Sequence, residues 1–189
     1  MISKLILIGA STGGPGHLKK ILESLPADFT TPVIIAQHMN RVFIPTFVSQ
    51  FDNSIELSVN EVKSNMKIEN RHIYVCRKNS FIEKEDYFFR FVETNEESLY
   101  NPCIDILFKS VLPFVEKIKV LAVLLTGIGE DGALGLSELQ KHGALCFAES
   151  KESAVVYGMP KKAVELNPDI RPLSLSRIVE EIRDFGDRF

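Results

Sequence analysis

The sequence predicts an α/β fold: a doubly wound, mostly parallel sheet with helices on both faces and an added β-hairpin. Three observations carry this. Short apolar runs without polar interruption, at residues 5–8, 33–36 and 120–125, read as strands buried on both faces. Segments of helical spacing alternate with them, the pattern of parallel strands joined by crossover helices. Lys84-Glu85-Asp86 separates two short strand-like segments, as a hairpin turn does.

Taken in order, residues 5–8 form the first strand and Gly9 ends it. Pro15 suits the first turn of a helix through 17–22. A loop over 26–31 leads to a strand at 32–36 that ends in Gln37-His38, and 39–51 has helical spacing. Residues 55–62 and 71–76 read as strands, 81–83 and 87–92 as the hairpin with Phe89 and Phe91 on one face, and 94–101 as polar loop. A helix over 104–115 follows, entered near Pro102. The strand at 120–125 then runs into Thr126-Gly127-Ile128-Gly129-Glu130-Asp131-Gly132-Ala133. Asp131 precedes a helix over 134–141 that Gly143 can close. A strand at 144–148, a helix at 160–166, a strand at 170–173 and a helix capped by Ser174 and running to about 185 complete the chain.

Composition excludes several classes of function. With 189 residues, 45% hydrophobic and 25% charged, the chain has the usage of one globular domain over 1–189. A net charge of −3 and the lack of basic runs give no reason to expect nucleic acid. No apolar stretch reaches the roughly 20 residues of a membrane span, and the N-terminal apolar segment runs straight into a glycine turn instead of a cleavage region. The expectation is a cytoplasmic protein with no membrane insertion. Cys76, Cys103 and Cys146 are odd in number and widely spaced among apolar neighbours, so they read as reduced, buried thiols. No metal and no cofactor is expected.

Gly9-Ala10-Ser11-Thr12-Gly13, between the first strand and its helix, permits three readings: a nucleophile elbow presenting Ser11, a phosphate cradle, or a plain strand-to-helix turn. The cradle lacks the lysine of a Walker loop, and Ser11 stands where a dinucleotide fingerprint wants glycine. In doubly wound sheets ligands bind beyond the carboxyl ends of the strands, and three strands deliver Ser11, His38 and Asp131 there. These are a nucleophile, a base and a carboxylate to orient the base. The order Ser, His, Asp differs from the Ser, acid, His order of α/β-hydrolases. Asp131 also suits the N-cap of its own helix. His142, at a helix end, reads as a partner of the helix dipole. His17 and His72 read as surface residues, with His17 a reserve base.

Together these segments resemble the catalytic domain of the bacterial chemotaxis protein-glutamate methylesterases, the CheB family. The resemblance rests on Gly9-Ala10-Ser11-Thr12-Gly13-Gly14-Pro15, Gln37-His38-Met39, Ile104-Asp105-Ile106-Leu107-Phe108, Leu125-Thr126-Gly127 with Gly129, Asp131-Gly132-Ala133 and Gly135, and Val155-Val156-Tyr157-Gly158-Met159-Pro160. It implies a serine hydrolase that demethylates glutamate methyl esters on chemoreceptors in chemotaxis adaptation, and in some members deamidates glutamines. Carried over by motif, Ser11 is the nucleophile, His38 the base and Asp131 its orienter. The N–H of Ile128 is the oxyanion donor by family position, and that of Thr12 a second by geometry. The partners implied are the cytoplasmic domains of methylated chemoreceptors and a separate phosphorylated regulator. The sequence begins at the catalytic strand, without the receiver domain that many members carry ahead of it, which leaves two readings: a catalytic domain cut from a longer protein, or an enzyme that stands alone.

Three departures stand out: Ile128 where the family usually has Met, Asn101-Pro102-Cys103 for Arg-Pro-Ser, and Cys76-Arg77-Lys78-Asn79-Ser80-Phe81 for Ala-Pro-Gly-Gly-x-His. Two other readings stay open: a serine esterase acting on another ester, and a catalytically silent receptor-binding module.

Overall fold

The computed structural model describes residues 2–187. The chain runs β1 (Lys4–Ala10), α1 (Gly14–Glu23), β2 (Val33–Gln37), α2 (Ile44–Asp52), β3 (Ser58–Glu61), β4 (His72–Val75), β5 (Ser80–Lys84), β6 (Phe89–Glu93) and α3 (Ile104–Ser110). It continues through a 3-10 turn (Leu112–Phe114), β7 (Lys119–Leu124), α4 (Ala133–Lys141), β8 (Leu145–Glu149), α5 (Met159–Leu166), β9 (Arg171–Leu173) and α6 (Leu175–Asp187).

Seven strands form one sheet in the order β3-β4-β2-β1-β7-β8-β9, and each neighbouring pair is parallel. The antiparallel pair β5-β6 stands apart as the expected hairpin. Strand side chains alternate between faces. Leu5 and Leu7 therefore enter one core with α3, α4, α5 and the hairpin, and Ile6 and Ile8 enter the other with α1, α2 and α6. Phe89 and Phe91 both point from the hairpin into the first core. Chain order reverses at β1, which has β2 on one side and β7 on the other, so the switch point that receives ligands in such sheets lies at the carboxyl end of β1.

Two predicted helices are shorter in the structure, each at a proline. The helix expected over 104–115 ends at Ser110 and tightens into the 3-10 turn, because Pro113 has no N–H to give and its ring crowds the carbonyl of Lys109. The one expected over 39–51 starts only at Ile44, with Pro45 in its first turn, which leaves 39–43 as the loop that follows His38. The strand expected at 55–62 contracts to Ser58–Glu61. No helix among the described residues is long and apolar enough to cross a membrane.

Candidate active site

Main-chain bonds lace the ends of the three central strands together. Ser11 N–H donates to the Thr126 carbonyl at 2.9 Å, and His38 N–H donates to the Ala10 carbonyl at 2.9 Å. Gln37 Nε2 donates to the Ser11 and His38 carbonyls, each at 2.9 Å, and Gly14 N–H closes the turn on the Ser11 carbonyl at 2.8 Å. Gly13 turns the chain into α1 with φ +85°, and a Cβ there would stand 2.7 Å from Val155. Only glycine meets both conditions without strain. The Ser11 side chain thus leaves the sheet at its carboxyl edge on a backbone fixed from both neighbouring strands.

The same edge receives His38 and Asp131, whose Nε2 and Oδ2 are 2.7 Å apart. Asp131 is 3% exposed, and its carboxylate is fully employed. Oδ2 also accepts the Ile104 N–H at 2.8 Å, while Oδ1 accepts the Asp105 N–H at 3.0 Å and the Cys103 thiol at 3.3 Å. The capping role expected of Asp131 belongs to a different helix. Gly132 occupies the N-cap of α4 with no side-chain cap, and Asp131 instead takes the N–H groups that open α3. Burial by itself would push this carboxyl up, but the His38 ring and the two N–H groups outweigh it and hold Asp131 below the ordinary carboxylate value. An ionised carboxylate only accepts, so Nε2 carries the proton and Nδ1 keeps its lone pair for a donor such as a serine hydroxyl. The Ser11 hydroxyl makes no hydrogen bond to the ring among the described residues. Such contacts are commonly long in resting sites and tighten around the substrate.

Around this set, the N–H groups of Thr12 and Ile128 have no protein acceptor among the described residues. Both belong to the loops flanking Ser11, the first following it directly and the second two residues after Thr126. The Ile128 side chain is 62% exposed at the mouth of the site. No group of three or more His, Cys, Asp or Glu is placed to hold a metal among the described residues. Burial pushes the Cys76 and Cys146 thiols up to about 12, and Cys103 is raised as well, so all three are protonated, free thiols.

His17 is not the surface residue that its helix position suggested. It is 8% exposed, and its Nδ1 lies 3.1 Å from Oε2 of the fully buried Glu149 at the end of β8. That oxygen also accepts the Thr126 N–H at 2.9 Å, and Oε1 accepts the Ser153 hydroxyl at 2.8 Å. Bound in this way behind the elbow, His17 is withdrawn from service as a reserve base. His142 sits at the end of α4 with Nδ1 2.8 Å from the Glu138 carbonyl, and His72, the first residue of β4, stacks on Tyr74 of the same strand.

Sequence reasoning missed Tyr100. Its ring lies on that of His38 with centroids 4.6 Å apart and planes 3° from parallel, yet it falls in the stretch read as polar loop. It also did not foresee that the Gln37 side chain would brace the Ser11 turn, although Gln37 adjoins His38 in the motif.

Comparison with known proteins shows the family and the fold. The family model described as CheB methylesterase matches residues 6–182. A protein-glutamate methylesterase/protein-glutamine glutaminase of Carboxydothermus hydrogenoformans is 37% identical over 190 residues, covering 95% of this chain and 54% of its own length. One from Caldanaerobacter subterraneus subsp. tengcongensis is 39% identical over 167 residues, covering 85% of this chain and 46% of its own. The chain therefore spans about half the length of the curated relatives it matches. The crystal structure of the Thermotoga maritima CheB methylesterase catalytic domain superposes with a TM-score of 0.90 at 28% identity, covering 97% of this chain and 99% of that one.

Proposed function

Because the chain belongs to the CheB methylesterase family, we propose that it hydrolyses glutamate methyl esters on the cytoplasmic domains of chemoreceptors, with Ser11 as nucleophile, His38 as base and Asp131 as the group that orients the base. Glutamine deamidation is the companion activity, with ammonia in place of methanol as the leaving group. The observation that carries this reading is the 2.7 Å bond between His38 and an Asp131 held in its ionised form, at the strand edge from which Ser11 emerges.

In the proposed reaction His38 Nδ1 takes the Ser11 proton as Oγ attacks the ester carbonyl. The ring becomes an imidazolium whose Nε2–H stays on Asp131. The ring is used the other way round from the serine-protease template, in which the acid holds Nδ1. Thr12 and Ile128 N–H groups receive the oxyanion, a contribution on the order of a hundredfold in rate per donor. The tetrahedral intermediate collapses and the ester C–O bond breaks. His38 returns its proton to the departing methoxide, giving methanol and an acyl-Ser11. Water, giving a proton to His38, attacks the acyl carbon; in the second collapse the bond to Oγ breaks, His38 returns that proton to Ser11 Oγ, and the glutamate side chain leaves as its acid, which loses its proton to solvent.

The test is methanol release from methylated chemoreceptor by the whole chain and by Ser11→Ala. The expected result is release by the first and none above background by the second; equal release by both would remove Ser11 from the mechanism. Hydrolysis of small esters with no action on receptor would instead mark an esterase of other specificity, and receptor binding without methanol would mark a silent module.

A further inference from the structure

The two segments in which this sequence departs from the family pattern meet in space, and they meet at one residue. Asn79, 2% exposed at the entrance to β5, donates its main-chain N–H to Asn101 Oδ1 at 3.0 Å and accepts the Cys103 N–H on its own Oδ1 at 2.8 Å. Its Nδ2 donates to the Glu96 carbonyl at 3.0 Å, and its carbonyl accepts the Thr94 N–H at 2.9 Å. One buried asparagine therefore grips the loop of residues 94–103 near both of its ends, at Thr94 and Glu96 and at Asn101 and Cys103. Two residues of that loop touch the site. Cys103 gives its thiol to Asp131, and Tyr100 lies flat on His38. The phenol reaches across the ring toward the loop that carries Ile128, since its oxygen is 2.6 Å from where a Cβ on Gly129 would stand.

The bond to Asp131 pins His38 at Nε2, but one pinned atom leaves the imidazole able to rock about the line from Cβ to that atom. Rocking moves Nδ1, the atom that must meet the serine hydroxyl. A ring stacked at 3° on one face removes that freedom. We infer that Tyr100 is a positioning residue for His38, and that the Asn79 clamp holds it there. This rests on the hydrolase reading for its kinetic consequence, but its geometric content is independent of any substrate.

The test has two arms on the chain of 189 residues. The first is the rate at which a fluorophosphonate labels the active serine, which needs nucleophile and base but no receptor. Tyr100→Ala is expected to slow labelling by about 10- to 100-fold, the scale of a small misplacement of reacting groups, with folding checked by circular dichroism. Tyr100→Phe, which keeps the ring, rescues the rate. Asn79→Ala slows labelling similarly, and the double variant is no slower than the worse single one, because the two act through one contact. The second arm is the NMR signal of the His38 ring protons. The stacked phenol shifts them upfield, and both Tyr100→Ala and Asn79→Ala return them downfield. Ring resonances unmoved by Tyr100→Ala overturn the inference whatever the chain acts on, as does a Tyr100→Phe variant as slow as Tyr100→Ala. Wild type that resists the probe while its His38 signals respond as expected would overturn the Ser11 assignment and uphold the stack.

Discussion

The site has two walls built on different principles. On one side Ser11, His38 and Thr126 extend from neighbouring strands of the sheet, and main-chain bonds at 2.9 Å between adjacent chain segments fix them. On the other, Tyr100 and Cys103 stand on a loop without regular structure, fixed by the bonds of Asn79. The strand wall carries Ser11, His38 and Thr126 of the motifs on which the resemblance rests, with Ile128 its one departure, and the loop wall carries Asn101-Pro102-Cys103, another of the departures. A parallel sheet specifies positions through its register, whereas this loop takes its position from the side-chain and main-chain bonds of one buried residue.

Experiments that separate the walls should show graded effects. The largest is expected for Asp131→Asn, which reaches both: the amide can present an N–H where His38 needs an acceptor and so disturbs the tautomer, and the rate of methanol release should fall by about 10³- to 10⁴-fold. Glu149→Leu attacks the strand wall from behind. It leaves His17, the Thr126 N–H and the Ser153 hydroxyl without their buried acceptor, and denaturant unfolding should show a loss of about 3 kcal/mol. Gly13→Ala strains the elbow through its positive φ and the approach of Val155, with an expected loss of about 1–3 kcal/mol by the same measurement. Smallest is the effect of acid. The folded Asp131 carboxyl titrates below its unfolded value of 3.8, so its stabilisation is present above that pH and is lost as the pH falls through the lowered folded value. The acid limb of the unfolding free energy should be shallower in Asp131→Asn than in wild type; equal slopes would mean that the carboxylate is not held as described.

What the sequence disclosed follows the same division. The central strands announced themselves as apolar runs, and His38 and Asp131 were recognisable because each ends or closely follows such a run. The environment of Asp131 was less accessible: its place before a helix made an N-cap of α4 reasonable, and nothing local reveals that the N–H groups it takes belong to α3, 27 residues earlier. His17 was misread because periodicity reports which face of a helix is buried but not that Glu149, 132 residues away, waits there. Tyr100 was hidden in a stretch of polar residues whose path is set by Asn79, a residue of another loop, just before β5. Pro113 was visible, and its power to end α3 could have been read from the sequence.

The order of the sheet carries a consequence for how the protein is made. Lys4–Gly9 of β1 pair with Lys119–Leu124 of β7, and the His38–Asp131 contact spans 93 residues, so no N-terminal stretch emerging from the ribosome can hold a working centre. Loop closure over such distances is slow compared with the formation of helices. During synthesis Ser11 and His38 precede Asp131 by 120 and 93 residues, so the three cannot meet until β7 has docked beside β1. Formation of the His38–Asp131 contact is therefore a clock for that docking, set by topology alone.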